Sequence, residues 1–164
     1  IKRALYEGGI RVPMIARWPG KVPAGKETAF VTAFWDFLPT VAELAGTKRP
    51  DGLDGQSIVP TLLGKSQNPP AYLYFEFHER GFDQAIRQGD WKAVRHGRAT
   101  PIELYNLRED VGETKDVAAT HGEVVKRIEP LFTSARVDSA EFPVNERKGA
   151  RKQGEGAGGD VREK

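Results

Sequence analysis

Cysteine is absent from this chain of 164 residues, which excludes disulfides and cysteine-ligated zinc sites within it. Histidine is scarce. His78, His96 and His121 stand far apart, with none of the close spacing that metal ligation needs. No apolar run approaches the ~20 residues that a bilayer-spanning helix requires. Charge of one sign never dominates: 25 Lys and Arg face 23 Asp and Glu, for a net charge of +2, and the two signs are interspersed. Composition therefore calls for neither a nucleic-acid partner nor a membrane surface. There is no internal repeat. The first residue is Ile1, not methionine, and no signal segment follows it, as expected of a fragment.

What is present is a globular composition, 38% hydrophobic and 29% charged, with room for one ordinary domain or a piece of a larger one. Gly8-Gly9 marks a sharp turn or a close backbone approach. Val12 to Trp18 is apolar and β-prone, which predicts a short buried strand closed by Pro19-Gly20. Leu38, Val41, Ala42 and Ala45 recur at helical spacing. This predicts a helix over 37–45 packed on a sheet, with Asp36 as N-cap, Pro39 in the first turn and Gly46 just past the end. Residues 47–70 are loop-rich, with one helical turn expected around Pro60.

From Ala71 the period changes to two. Leu73, Phe75 and Phe77 point one way; Tyr72, Tyr74, Glu76 and His78 point the other. After a turn at Arg80-Gly81, QAIRQ and WKAVR flank a tight Gly89-Asp90 turn, and IELYNL follows. Four short strands in an antiparallel meander are expected. Thr120-x-x-Glu123 has the form of a capping box. Val124, Ile128, Leu131, Phe132 and Ala135 make one helical stripe, which Pro130 should kink or split. That helix should cover one face of the meander. Residues 139–164 mix charge with glycine and offer too little apolar surface to offset ordering entropy, so disorder is expected there.

Three blocks carry a resemblance. The first is Lys2-x-x-x-Tyr6-Glu7-Gly8-Gly9-x-Arg11-x-Pro13. The second is Asp36-x-x-Pro39-Thr40 with Ala45-Gly46, followed by Asp54-Gly55-x-Ser57-x-x-Pro60-x-Leu62. The third is Arg87-x-Gly89-x-Trp91-Lys92 with Glu103-Leu104-Tyr105-x-Leu107, Asp110, Glu113, Asp116 and Ala118. Together they resemble the C-terminal part of sulfatases of the alkaline-phosphatase superfamily, in particular those related to N-sulfoglucosamine sulfohydrolase, from residue 2 to about residue 136.

The resemblance implies an α/β fold. Residues 1–70 would be the end of an alkaline-phosphatase-like core. Residues 71–138 would be a small α+β subdomain with a four-stranded antiparallel sheet and a C-terminal helix, and 139–164 a charged tail. It implies that Lys2 binds the substrate sulfate, where a fixed ammonium stabilises charge spread over the sulfuryl oxygens. Glu7 and Arg11 read as structural charges that pair and hold the turn. The second block reads as scaffold, and Asp51 and Asp54 as turn formers. For His78 two readings stand: a contact to the substrate sugar, or a strand-end histidine that is hydrogen-bonded or solvated, which is favoured. His96 and His121 read as surface residues.

Such enzymes use formylglycine, made from Cys or Ser in a C/S-x-P-x-R segment, and calcium. No such segment is present here: Ser57 is followed by Ile-Val-Pro and Ser66 by Gln-Asn-Pro. The expectation is therefore an inactive fragment of an enzyme acting on a sulfated carbohydrate, periplasmic or extracellular by analogy, with no metal site of its own. Two alternatives remain. One is a fragment of a related phosphonate or phosphodiester hydrolase. The other is a non-catalytic carbohydrate- or partner-binding module using Tyr72, Tyr74 and His78.

Overall fold

A computed structural model describes residues 3–79, 81–141 and 143–144. Lys2 and most of the segment expected to be disordered lie outside them. At the centre is a four-stranded antiparallel meander: β1 Leu73–Phe77, β2 Asp83–Gln88, β3 Trp91–His96 and β4 Glu103–Asn106, in the order β1-β2-β3-β4. Phe75 lies opposite Ala85, Ile86 opposite Ala93, and Ala93 opposite Leu104. Gly89, with φ +62°, takes the left-handed conformation that the tight β2–β3 turn demands.

Both faces of this sheet are covered. On one face Ile86, Ala93 and Leu104 pack against Val124, Ile128 and Phe132. The last three come from two short helices, α4 Gly122–Ile128 and α5 Leu131–Ser134, separated at Pro130 as the sequence predicts. The capping box is not formed. Thr120 Oγ1 donates to the Val117 carbonyl instead, and no side chain caps α4. On the opposite face Ala85, Val94 and Tyr105 pack against Leu5, flanked by Tyr6, Ile10, Phe75 and Phe77. The chain before the sheet thus folds back over it, with α1 (Glu7–Ile10) making a single helical turn.

Between α1 and β1 the chain is mostly irregular. The expected strand at Val12–Trp18 does not form, and Ile15 is 94% exposed. A strand exists only where a neighbour completes its ladder, and the sole sheet among the described residues is the meander. Helix α2 (Phe37–Leu44) forms as predicted, with Gly46 at φ +65° past its end, but it does not pack on a sheet. Pro39, Thr40 and Ala42 are buried, whereas Phe37, Val41 and Leu44 are exposed.

Asp36 does not cap the first turn of α2 either. Its carboxylate accepts the Ala33 N–H (2.9 Å), the Thr32 hydroxyl (2.9 Å) and the Gln56 N–H (2.9 Å). Thr40 Oγ1 in turn accepts the Ile58 N–H at 3.0 Å, just before the expected turn around Pro60, α3 (Val59–Leu62). A Cβ on Gly55 would stand 2.0 Å from the Trp35 carbonyl oxygen, so only glycine fits there. The second block is a cross-braced scaffold, and Asp36 is its buried brace.

Candidate active-site edge

The Tyr6–Gly9 turn is held to the sheet by three buried charges. Lys92, on β3, faces the same way as Val94 and is wholly buried. Its ammonium lies 2.9 Å from Glu7 Oε1 and 3.3 Å from Glu113 Oε1. The Glu7 backbone N–H donates to Glu113 Oε2 at 2.5 Å. Arg87 and Arg11 approach Glu7 Oε2 at 3.6 and 3.8 Å, Arg11 from an exposed position. Two carboxylates removed from water are thus met by one buried ammonium and the rims of two guanidinium groups, which is what such burial requires. Burial pushes the Glu113 carboxyl above the ordinary range, against the pull of Lys92 and the Glu7 N–H.

Glu113 reaches this cluster from a loop built for it. Its backbone adopts φ +54°, rare for a residue with a Cβ. On either side, Asp110 accepts the N–H groups of Thr114 and Lys115, and Asp116 Oδ1 accepts those of Leu104 and Ala118. The Asp110, Glu113 and Asp116 spacing thereby acquires a physical meaning: two loop-closing carboxylates aim a third inward. The reading of Glu7 as a buried pairing charge agrees with this geometry. Lys92 and Glu113 entered the sequence reading only as motif positions. The signal available was a lysine in phase with Val94 on a sheet whose other face was already assigned to a helix.

Beside this cluster a polar chain crosses the same face. The Tyr6 and Tyr105 hydroxyls both donate to Glu103 Oε2, at 2.5 and 2.8 Å. Burial, then the Glu103 carboxylate, raises both phenol pKa values well above the ordinary range, so both remain donors. His96 is half-exposed but engaged at both ring nitrogens, Nδ1 3.0 Å from Asp83 Oδ1 and Nε2 2.9 Å from the Tyr6 hydroxyl oxygen. It is more than a plain surface histidine. Tyr6, which the motif marks, is therefore a second anchor of the turn.

His78 stands at the end of β1, with Nε2 3.0 Å from Glu76 Oε1 and its ring edge-on to Phe82. Glu76 also accepts the Tyr74 hydroxyl (2.6 Å) and Arg136 Nε (3.0 Å). Burial opposes ionisation of Glu76, but the bonds from Tyr74, Arg136 and His78 outweigh it and hold its carboxyl below the ordinary range. Arg3 pairs with Glu79 at 3.1 Å. The neighbours in sequence of the two candidate residues, Lys2 and His78, therefore meet at one corner of the sheet. Among the described residues no group of three or more His, Asp or Glu side chains could hold a metal ion. No helix among them is long and apolar enough to cross a membrane.

The first and third motif blocks of the sequence thus meet on one α+β unit, a four-stranded antiparallel sheet closed on one face by the α4–α5 helix pair and on the other by the Tyr-Glu-Gly-Gly turn. Residues 1–137 match the family described as N-sulphoglucosamine sulphohydrolase, C-terminal, and the chain belongs to it. Among curated relatives, arylsulfatase K of Danio rerio is 28% identical over 142 residues, covering 81% of this chain and 27% of that protein. An N-acetylgalactosamine-6-O-sulfatase of Bacteroides thetaiotaomicron is 31% identical over 151 residues, covering 82% of this chain and 29% of the relative. Among solved structures, that of Ps i-CgsB superposes with a TM-score of 0.65 at 33% identity, over 79% of this chain and 30% of that one. The chain thus spans under a third of the length of each.

Proposed function

We propose that this chain is the C-terminal portion of a sulfatase that removes sulfate from the ester or N-sulfate groups of a sulfated carbohydrate. The observation that carries this reading is the Tyr6–Gly9 turn, gripped by Lys92 and Tyr6 against the sheet, with the lysine of the sulfate-binding motif four residues before Tyr6. In this reading Lys2 places its ammonium on the sulfuryl oxygens as negative charge spreads over them, and His78 contacts the sugar. Residues 1–70 close the α/β core and 71–138 form the subdomain that braces it.

The exposed groove between Met14, Ile15 and Trp18 on one side and Phe37, Val41 and Leu44 on the other supports the same reading, since apolar surface of this kind marks an interface. The carbohydrate assignment is supported by relatives: one is an N-acetylgalactosamine-6-O-sulfatase, and Ps i-CgsB has been solved with k-i-k-neocarrahexaose.

Formylglycine and calcium, which the resemblance implies for the whole enzyme, do not fit the residues of this chain. It has no cysteine, no serine in an S-x-P-x-R segment, and no metal-binding cluster among the described residues. No step through either group is derived from it. The purified chain, assayed with an aryl sulfate and calcium, is expected to show no turnover above buffer; clear turnover would overturn the fragment reading. The coding sequence upstream of Ile1 tests the class. A continuous frame with a C/S-x-P-x-R segment supports a sulfatase, and a continuous frame without one excludes it.

A further inference from the structure

The Lys92–Glu7–Glu113 cluster costs more to build than a structural role on this sheet needs. Position 92 stands opposite Tyr105 and in phase with Val94, on a face whose other buried residues are largely apolar, and replacing buried ion pairs by apolar groups is often neutral or stabilising. Instead, two carboxylates from segments 106 residues apart are brought within reach of one ammonium. Glu113 is held in a left-handed backbone conformation to get there. The ammonium contacts the side chain of Glu7, and the partner carboxylate contacts its backbone N–H, so both the position and the orientation of residue 7 are specified. Hydrophobic burial is non-directional and specifies neither.

We propose that Lys92 is a positioning residue for the sulfatase site. Its buried ammonium, clasped by Glu7 and Glu113, fixes the Tyr6–Gly9 turn on β3 and thereby sets the point, at Leu5, from which the chain leads back toward the motif lysine. The anchoring stands on the geometry alone; its consequence for catalysis rests on the sulfatase reading. The anchor joins three separate stretches of chain, the turn, the β2–β3 hairpin and the 110–116 loop. A shift in either of the last two is transmitted to the first. Lys92 touches no reacting group in this scheme. Its effect passes through Glu7.

Amide hydrogen exchange on the full chain tests the anchoring. In Lys92→Met the amides of Glu7, Gly9 and Ile10 are expected to exchange about ten-fold or more faster, while those of Ile86, Ala93 and Leu104 stay within about two-fold of the parent. Lys92→Met combined with Glu113→Gln relieves one stranded carboxylate and serves where the single variant unfolds. The same local loosening is expected in it. Unchanged protection of the turn in a folded variant overturns the proposal. So does uniform loss across both faces in the double variant, because Lys92 would then serve only the fold.

In the longer enzyme that the sulfatase reading requires, Lys92→Met is expected to lower kcat for an aryl sulfate by about ten-fold or more with KM within about two-fold, since a misplaced cation weakens the transition state more than the ground state. A change in KM alone, or none in either constant, overturns the positioning role. A parent enzyme without sulfatase activity instead marks failure of the functional reading, and the exchange result still decides the anchor.

Discussion

The two faces of the sheet are buried to a similar degree by different means. Toward α4 and α5, contact is made chiefly by Ile86, Ala93, Leu104, Val124, Ile128 and Phe132, all apolar and at most 5% exposed, with Gln84 as the buried polar residue that bonds to the Phe132 carbonyl. Toward the Tyr6–Gly9 turn, Leu5, Ala85 and Val94 share the interface with Lys92, Glu7 and Glu113, and with the Tyr6–Glu103–Tyr105 hydroxyl network. Apolar packing is tolerant of small shifts and supplies most of the stability. Buried ion pairs and short hydrogen bonds tolerate little displacement and add little net stability, but they specify register. The division of labour places the wholly buried ion pairs on the face that carries the sulfatase motif and leaves most of the apolar packing that holds the sheet together to the other.

The comparison breaks most visibly at Phe132. It is fully buried, its carbonyl accepts the Gln84 amide at 2.8 Å, and the Arg95 guanidinium stacks on its ring. Phe132→Ala is expected to destabilise the whole chain by about 3–5 kcal/mol, read as a lower midpoint in denaturant with the near-UV signal lost in one step. Lys92→Met should cost less, about 1–3 kcal/mol, although a stranded buried carboxylate pair can cost more than that. The turn can lift off and let Glu7 and Glu113 hydrate, so the loss is limited to what docking of the turn contributes, chiefly burial of Leu5. If Lys92→Met lowered the midpoint as far as Phe132→Ala, the two faces would be equivalent and the contrast would fail.

Much of this was legible in the sequence, and the exceptions share a cause. The meander was visible because the period-two alternation of Leu73, Phe75 and Phe77, the Gly89-Asp90 turn and the stripe through Val124, Ile128 and Phe132 are local signals. The buried partnership of Lys92 and Glu113 was not, because it closes contacts between residues 7, 92 and 113 that no local period encodes. Val12–Trp18 was misread for the converse reason: its residues favour a strand, but strand formation depends on a neighbour that the described residues do not provide. At Asp36 the residue type was right for a cap, but the Ala33 and Gln56 N–H groups offered better-placed partners. Of the two candidate site residues, the structure describes only His78. It places Arg3 and Glu79, their neighbours in sequence, in contact.

Acid should separate the faces by sign. The folded-state pKa of Glu113 is raised, so its charged form is penalised in the native state. That penalty is fully present above its folded pKa and disappears as pH falls through the unfolded value near 4.5. The folded-state pKa of Glu76, on the helix side, is lowered. Its contribution is present above pH 4.5 and is lost as pH falls through the depressed folded value. From pH 7 toward pH 4, Glu113→Gln is therefore expected to change from stabilising or neutral toward destabilising relative to the parent. Glu76→Gln should be destabilising at pH 7 and approach the parent below pH 4. Denaturant midpoints of the two variants across this range would show it, and parallel pH profiles would refute the assignment of opposite signs.

The smallest effect is expected at Glu123, and it tests a correction made by the structure. A formed capping box would make Glu123 accept the backbone N–H of Thr120, and its removal would then cost about 0.5–2 kcal/mol. Here Glu123 is exposed, Thr120 Oγ1 is committed to the Val117 carbonyl and lies 3.0 Å from His121 Nδ1, and α4 starts without a side-chain cap. What remains to Glu123 is a favourable charge in the first turn, worth about 0.3–1 kcal/mol at low ionic strength and screened by salt. Glu123→Ala should therefore lower stability by no more than about 0.5 kcal/mol in 0.15 M salt and by less in 0.5 M salt. A salt-independent loss above about 1 kcal/mol would show that the capping box forms in solution. The helix-side face would then gain a further directional contact beside the Gln84–Phe132 bond, and the contrast with the turn-side face would narrow.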